Sequence, residues 1–516
     1  MSIYVFSLLS GYELSGVDIA QGRRAKYFRK LNTPVKYVFN ELPSQDAIDQ
    51  YVRCGINLEE MVSIHLRLSG AEDLSGNYYV EKKIAELKET MEIDNIVSND
   101  NKITLYRKGN RVAVLELKKD TRFLSYVYYF EYERFIAKEY YTNRLLYVNH
   151  YVTASQNGEL YAKLKRTVFV DEKGAINCEC IYNNNEEVYI LSNGECLSKY
   201  EIVERFVDEL SLTEEDIVIV DRPSYMNYVQ SLFERGNKAR IMVFLHTGHY
   251  FKRGESPYAL YMNYAYYGWF KYSKCIDVVI VSTEEQKMDL EEKYREYGCY
   301  VPRIEVIPVS GLDEIKYPIG ERKKYSLITV SRIEERKNIK WVIESVIRAQ
   351  KVLPGLSLDI YGEGNIEYVN MLKNIVRDNN AESFITFKGL MDVSELYKNY
   401  DIYISASLGE TLGLTCMEAV GSGNAMIGLD VRYGNRLFIK NRVNGRLIDF
   451  SIDDVNKENI EDETIEKMKD AIVEVFGNKD ILLKYQNNSY EIAGEFINKN
   501  IERKWLELLN RYINKR

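Results

Sequence analysis

Two adjoining segments decide the fold of this chain: DIYISASL at Asp401–Leu408, and ETLGLTCMEAVGSG at Glu410–Gly423. The first is an apolar run that predicts a buried strand. The second begins with the turn-prone Thr411-Leu412-Gly413 and continues as an apolar stretch that predicts a helix. A strand that turns tightly into a helix presents free backbone N–H groups and the positive end of the helix dipole. The sequence therefore predicts an anion site at the carboxyl end of this strand.

Two carboxylates, Glu410 and Glu418, flank the predicted anion site with a spacing of eight residues. Carboxylates in this position can accept hydrogen bonds from sugar and ribose hydroxyls while the backbone amides hold phosphate. The spacing alone carries no weight in a chain with this much glutamate. The strand-turn-helix context is what points to a phosphorylated sugar ligand.

Composition places the chain among globular proteins and excludes some functions. Its 516 residues suffice for two or three domains, and 46 % are hydrophobic and 28 % charged. A net charge of −8 argues against a general nucleic-acid binder. The 43 tyrosines are an excess that favours either an amphipathic binding surface or simple compositional drift.

Cellular location and metal content are predicted from what the sequence lacks. The apolar runs are of strand length, and MSIYVFSLLSGYELSG at the N-terminus predicts a first strand rather than a signal peptide. Seven cysteines without a CxxC pair favour reduced thiols in a cytoplasm. Four unclustered histidines predict no metal site.

The N-terminal part of the chain predicts a β-α-β unit interrupted by a different kind of sheet. Strands at Ser2–Leu8 and Val35–Phe39 enclose a predicted helix, and Gly11 and Gly16 flank the first strand-to-helix loop, where a nucleotide can approach the backbone. No GxGxxG is present, which disfavours a dinucleotide. Between about Ile103 and Leu191, successive strands with tight turns predict an antiparallel β-meander that serves a partner or an extended ligand, or else is only a structural addition.

Alternation of helices and strands resumes after the meander and places further polar residues at strand ends. His246 and His249 follow a strand, where a neutral imidazole can bond a hydroxyl or a phosphate oxygen; we predict a catalytic role for His246 and a substrate-binding role for His249. Arg332 and Lys337 follow the strand Ser326–Ser331 and suit a diphosphate, although solvated surface charge is the alternative.

Four motifs together resemble one family in order and spacing. They are SRIEERKN at Ser331–Asn338, YGEG at Tyr361–Gly364, FKGL at Phe387–Leu390 and ETLGLTCMEA at Glu410–Ala419. This set resembles the retaining GT-B glycosyltransferases of family 4, over about residues 326–450. The resemblance implies an α/β GT-B fold, with two Rossmann-like domains facing a cleft and the β-meander inserted in the N-terminal one. It also implies a UDP-sugar donor, retention of configuration and no cofactor or metal.

The resemblance also implies roles for individual residues. Carried over by motif, these are Arg332 and Lys337 for the diphosphate, Glu410 for the donor sugar, the backbone amides of Leu414 and Thr415 for phosphate, Glu418 for the ribose, Gly16 for an approach to the donor from the other domain, and Gly389 and Leu390 for uracil. The leaving diphosphate takes the acceptor proton in the family's usual mechanism. Glu410 as a covalent nucleophile is the less favoured alternative.

The inserted meander narrows the resemblance to protein O-GlcNAc transferases of the accessory secretion system, which start glycosylation of serine-rich repeat adhesins. That implies transfer from UDP-GlcNAc to Ser/Thr hydroxyls and a homologous glycosyltransferase-like partner subunit. It also implies a cytoplasmic location, with peripheral association at the inner face of the membrane left open. Two alternatives remain: a polyol-phosphate (teichoic-acid-type) α-glycosyltransferase, and a non-catalytic adhesin chaperone. The sequence leaves N-acetylglucosamine and glucose undistinguished as the donor sugar.

The predicted domain boundaries follow from these assignments. They are 1–70 and 200–318 for the two parts of the N-terminal Rossmann-like domain, 71–199 for the inserted meander, 319–490 for the nucleotide-sugar-binding domain and 491–516 for a C-terminal helix.

Overall fold

The structure is a computed structural model. It describes residues 1–7, 16–183, 186–222, 226–234, 238–248, 250–252, 260–262, 266–451 and 457–513. By its internal contacts the chain divides into two compact units, Met1–Met242 and Val243–Arg516. The domain boundaries given above stay a prediction.

The described strands are, in chain order, β1 Ile3–Ser7, β2 Val35–Phe39, β3 Met61–Ser63, β4 Asn95–Asn99, β5 Lys102–Arg107, β6 Asn110–Leu117, β7 Leu124–Glu131, β8 Arg134–Tyr141, β9 Leu145–Gln156, β10 Glu159–Val170, β11 Ile176–Asn183, β12 Glu186–Leu191, β13 Cys196–Ser198, β14 Ile217–Val220, β15 Arg240–Phe244, β16 Tyr250–Lys252, β17 Leu260–Met262, β18 Val278–Val281, β19 Arg303–Val306, β20 Ser326–Val330, β21 Ser357–Tyr361, β22 Ile385–Gly389, β23 Ile402–Ser405, β24 Ala425–Leu429 and β25 Gly445–Ile448.

The described α-helices are α1 Gly16–Phe28, α2 Gln45–Cys54, α3 Val80–Thr90, α4 Lys199–Glu209, α5 Met226–Glu234, α6 Tyr267–Lys271, α7 Glu284–Glu296, α8 Ile339–Val352, α9 Ile366–Asp378, α10 Leu414–Gly421, α11 Gly434–Phe438, α12 Ile460–Gly477, α13 Lys479–Gly494 and α14 Asn498–Ile513. None of these helices combines the length and the apolar character that a membrane span requires.

Two sheets have the order of open α/β folds. The seven-stranded sheet runs β19-β18-β15-β14-β1-β2-β3, and the six-stranded sheet runs β22-β21-β20-β23-β24-β25. The pairs β1/β14, β1/β2, β2/β3 and β18/β19 are parallel, as are all neighbours in the six-stranded sheet. Strands such as β14, β18 and β24 are buried along their whole length, as expected of strands covered on both faces. The predicted α/β class with parallel sheets is confirmed.

The core of the six-stranded sheet is apolar and is covered by helices from distant parts of the chain. Val342, Ile343 and Val346 of α8 are fully buried in it, as their helical spacing predicted. α12 packs on α8 and contributes Met468 and Ile472 to the same core. This packing holds the carboxyl ends of β20 and β23, where the predicted donor residues lie.

The insertion is a ten-stranded antiparallel sheet in which β4 to β13 follow one another in order. It is longer than the meander predicted from the sequence because β4 and β13 add a strand at each edge. Asn157 and Gly158, the predicted hairpin turn, both have positive φ, 52° and 84°, which suits a two-residue turn between β9 and β10. One side of the sheet packs against α3 and buries an aliphatic cluster that includes Leu87 and Leu115.

Candidate active site

Helix α10 begins at Leu414, directly after a left-handed backbone position that favours glycine. Gly413 has φ 82° and ψ 71°, and an L side chain would be strained there. No described side chain caps the first turn of α10. The first amides of a helix have no acceptor within the helix, so those of Leu414 and Thr415 are available for an anion. The anion site predicted from the sequence therefore has the required backbone geometry.

A partly buried ion pair joins two motifs that lie 73 residues apart in the sequence. Lys337 Nζ donates to Glu410 Oε1, and it also lies 3.3 Å from Ser407 Oγ. The Lys337 side chain is only 10 % exposed, whereas the Glu410 side chain is 21 % exposed. A cation held this deeply is positioned by its surroundings and is not a solvated surface charge. For Lys337, the structure rejects that alternative.

The backbone of Glu410 is held by a second loop that sequence reasoning missed. The amides of Tyr433 and Gly434 donate to the Glu410 carbonyl at 2.8 and 2.7 Å. A Cβ atom on Gly434 would lie 2.1 Å from the Leu412 carbonyl oxygen, so only glycine allows this approach. Asp289 of α7 in turn accepts from Arg432 Nη1 at 2.6 Å and from the Tyr433 hydroxyl at 2.9 Å. This arrangement, which we call the Glu410 clamp, fixes the backbone of Glu410 from outside its own motif.

The first two turns of α10 pack on tyrosines. The Thr415 and Tyr403 hydroxyls lie 2.9 Å apart. Tyr397 is fully buried, and its burial together with the nearby charge of Glu418 raises its pKa well above the usual value. Burial and the charge of Glu410 raise the pKa of the Cys416 thiol to about 12. Glu418, itself half-buried, thus lies beside an uncharged phenol.

Arg332, the other predicted diphosphate ligand, lies in a different environment from Lys337. Its side chain is 71 % exposed, and its guanidinium is 3.4 Å from Glu334. The loop that carries it is pressed against the YGEG turn: Cβ atoms on Gly362 and Gly364 would lie 1.9 and 1.8 Å from the carbonyl oxygens of Ser331 and Ile333. The two glycines hold this loop in place, and the Arg332 side chain lies at the surface.

The remaining predicted residues are positioned as follows. Gly389 ends β22 with φ 73°, its carbonyl accepts from the Gly362 amide at 2.9 Å, and Leu390 beside it is exposed. The His246 ring stacks on Phe244 with centroids 4.2 Å apart and planes at 3°. Gly16 is the first residue of α1. His249 lies outside the described residues.

The structure therefore brings together some of the predicted residues. Lys337 and Glu410 are in contact, and Thr415 and Glu418 share helix α10 that starts beside them. Arg332 and His246 make their described contacts elsewhere. Ser407, whose hydroxyl accepts from Lys337, lies within the quoted strand motif and could have been noted as a hydroxyl next to a strand end. Nothing in the sequence signals Asp289, Tyr433 or Gly434. No cluster of three or more metal-ligating side chains occurs among the described residues.

Comparison with known proteins agrees with this geometry. Residues 313–475 match the family model "Glycosyl transferases group 1". The chain is 31 % identical, over 100 % of both sequences, to the UDP-N-acetylglucosamine–peptide N-acetylglucosaminyltransferase GtfA subunit of Streptococcus parasanguinis.

Two solved structures resemble the whole chain. The crystal structure of the pneumococcal O-GlcNAc transferase GtfA in complex with UDP and GlcNAc is 29 % identical, with a TM-score of 0.85 over 100 % of this chain and 99 % of that one. The crystal structure of a GtfA/B complex gives 29 % identity and a TM-score of 0.86 over 100 % of both chains. The chain has the GT-B fold and belongs to the family of GtfA subunits of UDP-N-acetylglucosamine–peptide N-acetylglucosaminyltransferases.

Proposed function

We propose that this chain is the catalytic subunit that transfers N-acetylglucosamine from UDP-GlcNAc to Ser/Thr hydroxyls of a serine-rich repeat adhesin before its export. The observation that carries the proposal is the ion pair between the buried Lys337 and Glu410, which precedes the uncapped start of α10. A cation in contact with a carboxylate, and a helix start without a side-chain cap four residues after that carboxylate, are combined in this motif. That combination suits a sugar joined to a diphosphate.

The donor is held by groups of opposite chemistry. The amides of Leu414 and Thr415 and the ammonium of Lys337 stabilise the diphosphate, and Arg332 reaches it from the surface. Glu410 accepts a hydrogen bond from a hydroxyl of the sugar, and Glu418 accepts hydrogen bonds from the ribose hydroxyls. Gly389 and Leu390 present backbone to uracil, and Gly16 approaches the donor from the N-terminal domain.

Transfer requires positioning and charge neutralisation more than proton abstraction. The bond between the sugar C1 and the UDP oxygen breaks, and a bond from C1 to the acceptor hydroxyl oxygen forms on the same face. The hydroxyl proton passes to the leaving diphosphate. The positive charges and amides oppose the negative charge that develops on UDP, which is the main electrostatic contribution. His246 is assigned to hydrogen bonding with the sugar or phosphate.

The enzyme needs no metal under this proposal. Mg²⁺ in other transferases neutralises the diphosphate, and here Lys337 and Arg332 supply that charge. UDP-GlcNAc turnover is expected to persist in EDTA, and a loss of activity that Mg²⁺ restores would overturn this part of the proposal.

A glycosyltransferase-like partner subunit completes the active assembly. Support comes from the likeness to the GtfA/B structure and from the size of the ten-stranded sheet, which is spliced into a nucleotide-binding chain. We assign partner docking to this sheet. The assembly acts in the cytoplasm or at the inner face of the membrane.

The two alternatives make different demands on the chain. A polyol-phosphate polymer needs a basic acceptor surface, whereas this chain carries a net charge of −8. A non-catalytic chaperone has no need of a clamped Glu410 paired with a buried lysine. Both features favour the protein acceptor and catalysis.

The test is a donor screen followed by an acceptor screen. The chain is co-expressed with its partner subunit, and hydrolysis of UDP-GlcNAc and UDP-glucose is measured. Transfer to a Ser/Thr-rich repeat protein and to poly(glycerol phosphate) is then followed by mass spectrometry. Hydrolysis of UDP-GlcNAc with transfer to protein is expected. Absence of any UDP-sugar hydrolysis would support the non-catalytic chaperone function. Transfer only to the polymer would support the polyol-phosphate (teichoic-acid-type) α-glycosyltransferase.

A further inference from the structure

Side chains of helix α7 reach the segments that carry both His246 and Glu410. The helix belongs, like these two residues, to the unit Val243–Arg516. His246 follows β15 of the seven-stranded sheet, and Glu410 follows β23 of the six-stranded sheet. Each sheet fixes only the ends of its own strands. A helix that contacts both segments can therefore set the position of one relative to the other.

Gln286, in the first turn of α7, holds the backbone on both sides of His246. Its side-chain Nε2 donates to the Leu245 carbonyl at 3.4 Å and to the Thr247 carbonyl at 3.3 Å. Its Oε1 accepts from the Ser282 amide at 3.0 Å, which fixes the orientation of the side-chain amide. The side chain is fully buried, so these hydrogen bonds lie in surroundings of low dielectric constant, where they are strengthened.

Tyr266 holds the same segment from a different part of the chain. Its hydroxyl accepts from the Thr247 amide at 3.0 Å and lies 2.9 Å from Thr247 Oγ1. Burial raises the pKa of the Tyr266 phenol, and hydrogen bonds with Thr247 and with the His246 backbone oppose that rise. The His246 ring, which stacks on Phe244, thus extends from a backbone that two buried side chains hold.

Asp289, three residues further along α7, reaches the segment that holds Glu410. Its Oδ2 accepts from Arg432 and from the Tyr433 hydroxyl, and the Tyr433 amide donates to the Glu410 carbonyl. Residues three apart lie on the same side of a helix. Gln286 and Asp289 therefore extend from one side of α7 to two different strand ends.

A further ion pair attaches the first turn of α7 to the residues around the Glu410 clamp. Arg436 of α11 donates from Nη1 to Glu285 Oε1 at 2.6 Å, and from Nε to Asp430 Oδ1 at 2.6 Å. These side chains are partly exposed, so the pair contributes less than the buried contacts do. The start of α7 is thus joined to the clamp at two positions, Glu285 and Asp289.

We propose that Gln286 and Asp289 are positioning residues of the active site, and that α7 keeps His246 and Glu410 at a fixed separation. Gln286 acts through the backbone beside His246, and Asp289 acts through the backbone of the Glu410 clamp. The inference rests on the proposed function, which gives His246 and Glu410 their roles at the donor. Small displacements of such groups reduce the rate strongly, because the alignment of the reacting groups contributes much of the lowering of the barrier.

The test measures UDP-GlcNAc turnover by variants of the full chain in complex with its partner subunit. Gln286→Met keeps the length of the buried side chain and removes its hydrogen bonds. Gln486→Met is the matched control, because Gln486 is also buried and donates to the carbonyl of Asp401, which precedes β23, whereas Glu410 follows it. Gln286→Met is expected to lower kcat about tenfold or more and to change KM for the donor less than about threefold. The control is expected to keep the wild-type kcat.

The His246→Ala background separates positioning from general destabilisation. If Gln286 acts through His246, Gln286→Met lowers kcat less than about twofold further in that background. Asp289→Ala acts through Glu410, so it should lower kcat by the same factor in both backgrounds. An equally large loss from Gln286→Met in both backgrounds, or no loss in either, would overturn the positioning of His246. A wild-type kcat in Asp289→Ala, or an effect that disappears with the imidazole, would overturn the link to Glu410.

A chemical readout tests the same inference without turnover. Diethyl pyrocarbonate acylates neutral imidazoles, and mass spectrometry gives the rate at each histidine. Release of the backbone on both sides of His246 should expose its ring, so Gln286→Met is expected to be acylated there several-fold faster than wild type and Gln486→Met. The buried His65 is the internal reference. An unchanged rate at His246 would contradict the inference. Absence of UDP-sugar hydrolysis in wild type would instead overturn the proposed function, and the acylation rates would still decide whether α7 holds His246.

Discussion

Replacing Lys337 with alanine should remove most of the activity while leaving the fold intact. The substitution deletes the ammonium of a side chain that is only 10 % exposed and leaves the Glu410 side chain, 21 % exposed, without its cation. The negative charge that develops on the diphosphate then loses its attraction to the Lys337 ammonium and is repelled by the unneutralised Glu410 carboxylate. Loss of one electrostatic stabiliser costs about 10²–10³ in rate, or about 2.7–4 kcal/mol of barrier. Because the carboxylate remains, we expect an effect near the upper end, in kcat more than in KM.

The assay is steady-state UDP-GlcNAc hydrolysis and transfer by the chain in complex with its partner. Lys340→Ala is the matched control, since Lys340 lies three residues further on and pairs with Glu461 at 2.5 Å on the surface. A surface pair of this kind contributes about 0–1 kcal/mol, so this variant is expected to keep full activity. Circular dichroism and the melting temperature verify that both variants fold.

The double variant Lys337→Ala/Glu410→Gln separates two effects. If repulsion from the unpaired carboxylate contributes, the second substitution costs less in the Lys337→Ala background than in wild type. Activity of folded Lys337→Ala within a few-fold of wild type would refute the assignment of Lys337 to the leaving diphosphate. A comparable loss in Lys340→Ala would show that the effect is not specific to the site.

Three other outcomes are expected. Gly434→Ala should lower both activity and melting temperature, because its Cβ would lie 2.1 Å from a carbonyl oxygen in the Glu410 clamp. Gly477→Ala, with open space around it, should change neither. Equal activities and equal melting temperatures of the two variants would contradict the clamp. With a pKa of about 12, the Cys416 thiol stays protonated at pH 8. Iodoacetamide should therefore label it at least about 100-fold more slowly than the exposed Cys196. Similar labelling rates of the two cysteines, measured by mass spectrometry, would be inconsistent with the burial of Cys416. Deletion of the meander over Ile103–Leu191 should spare donor hydrolysis. It should abolish both partner binding and transfer to a Ser/Thr-rich protein. If the truncated chain folds and still modifies the acceptor at the normal rate, the sheet has a purely structural role.

Much of the fold could be predicted from the sequence because it is encoded locally. Apolar runs of four or five residues predicted strands such as β14 and β23, and the helical spacing in α8 predicted which of its side chains are buried. Asn157-Gly158 predicted its hairpin because two successive positive φ angles favour these residue types. The same kind of local signal placed the start of α10 directly after Gly413.

The predicted site residues were only partly informative about the site itself. Arg332 and Lys337 looked alike in the sequence, yet one is exposed and the other is buried against Glu410. His246 was predicted from its place after a strand, but its stacking on Phe244 was not. Residue type and position after a strand indicate which side chains are available at a sheet edge, not which of them are buried and paired.

By itself, the sequence determined the α/β class, the inserted antiparallel meander and the motif that starts α10, because each depends on residues close together in the chain. Only the tertiary structure decided that Lys337 meets Glu410 and that the Glu410 clamp reaches Asp289, 144 residues before Tyr433. It also decided that the Lys138 ammonium lies against the rings of Tyr126 and Tyr128. Such contacts depend on sheet register and on how helices pack, and no local pattern of residues encodes either of these.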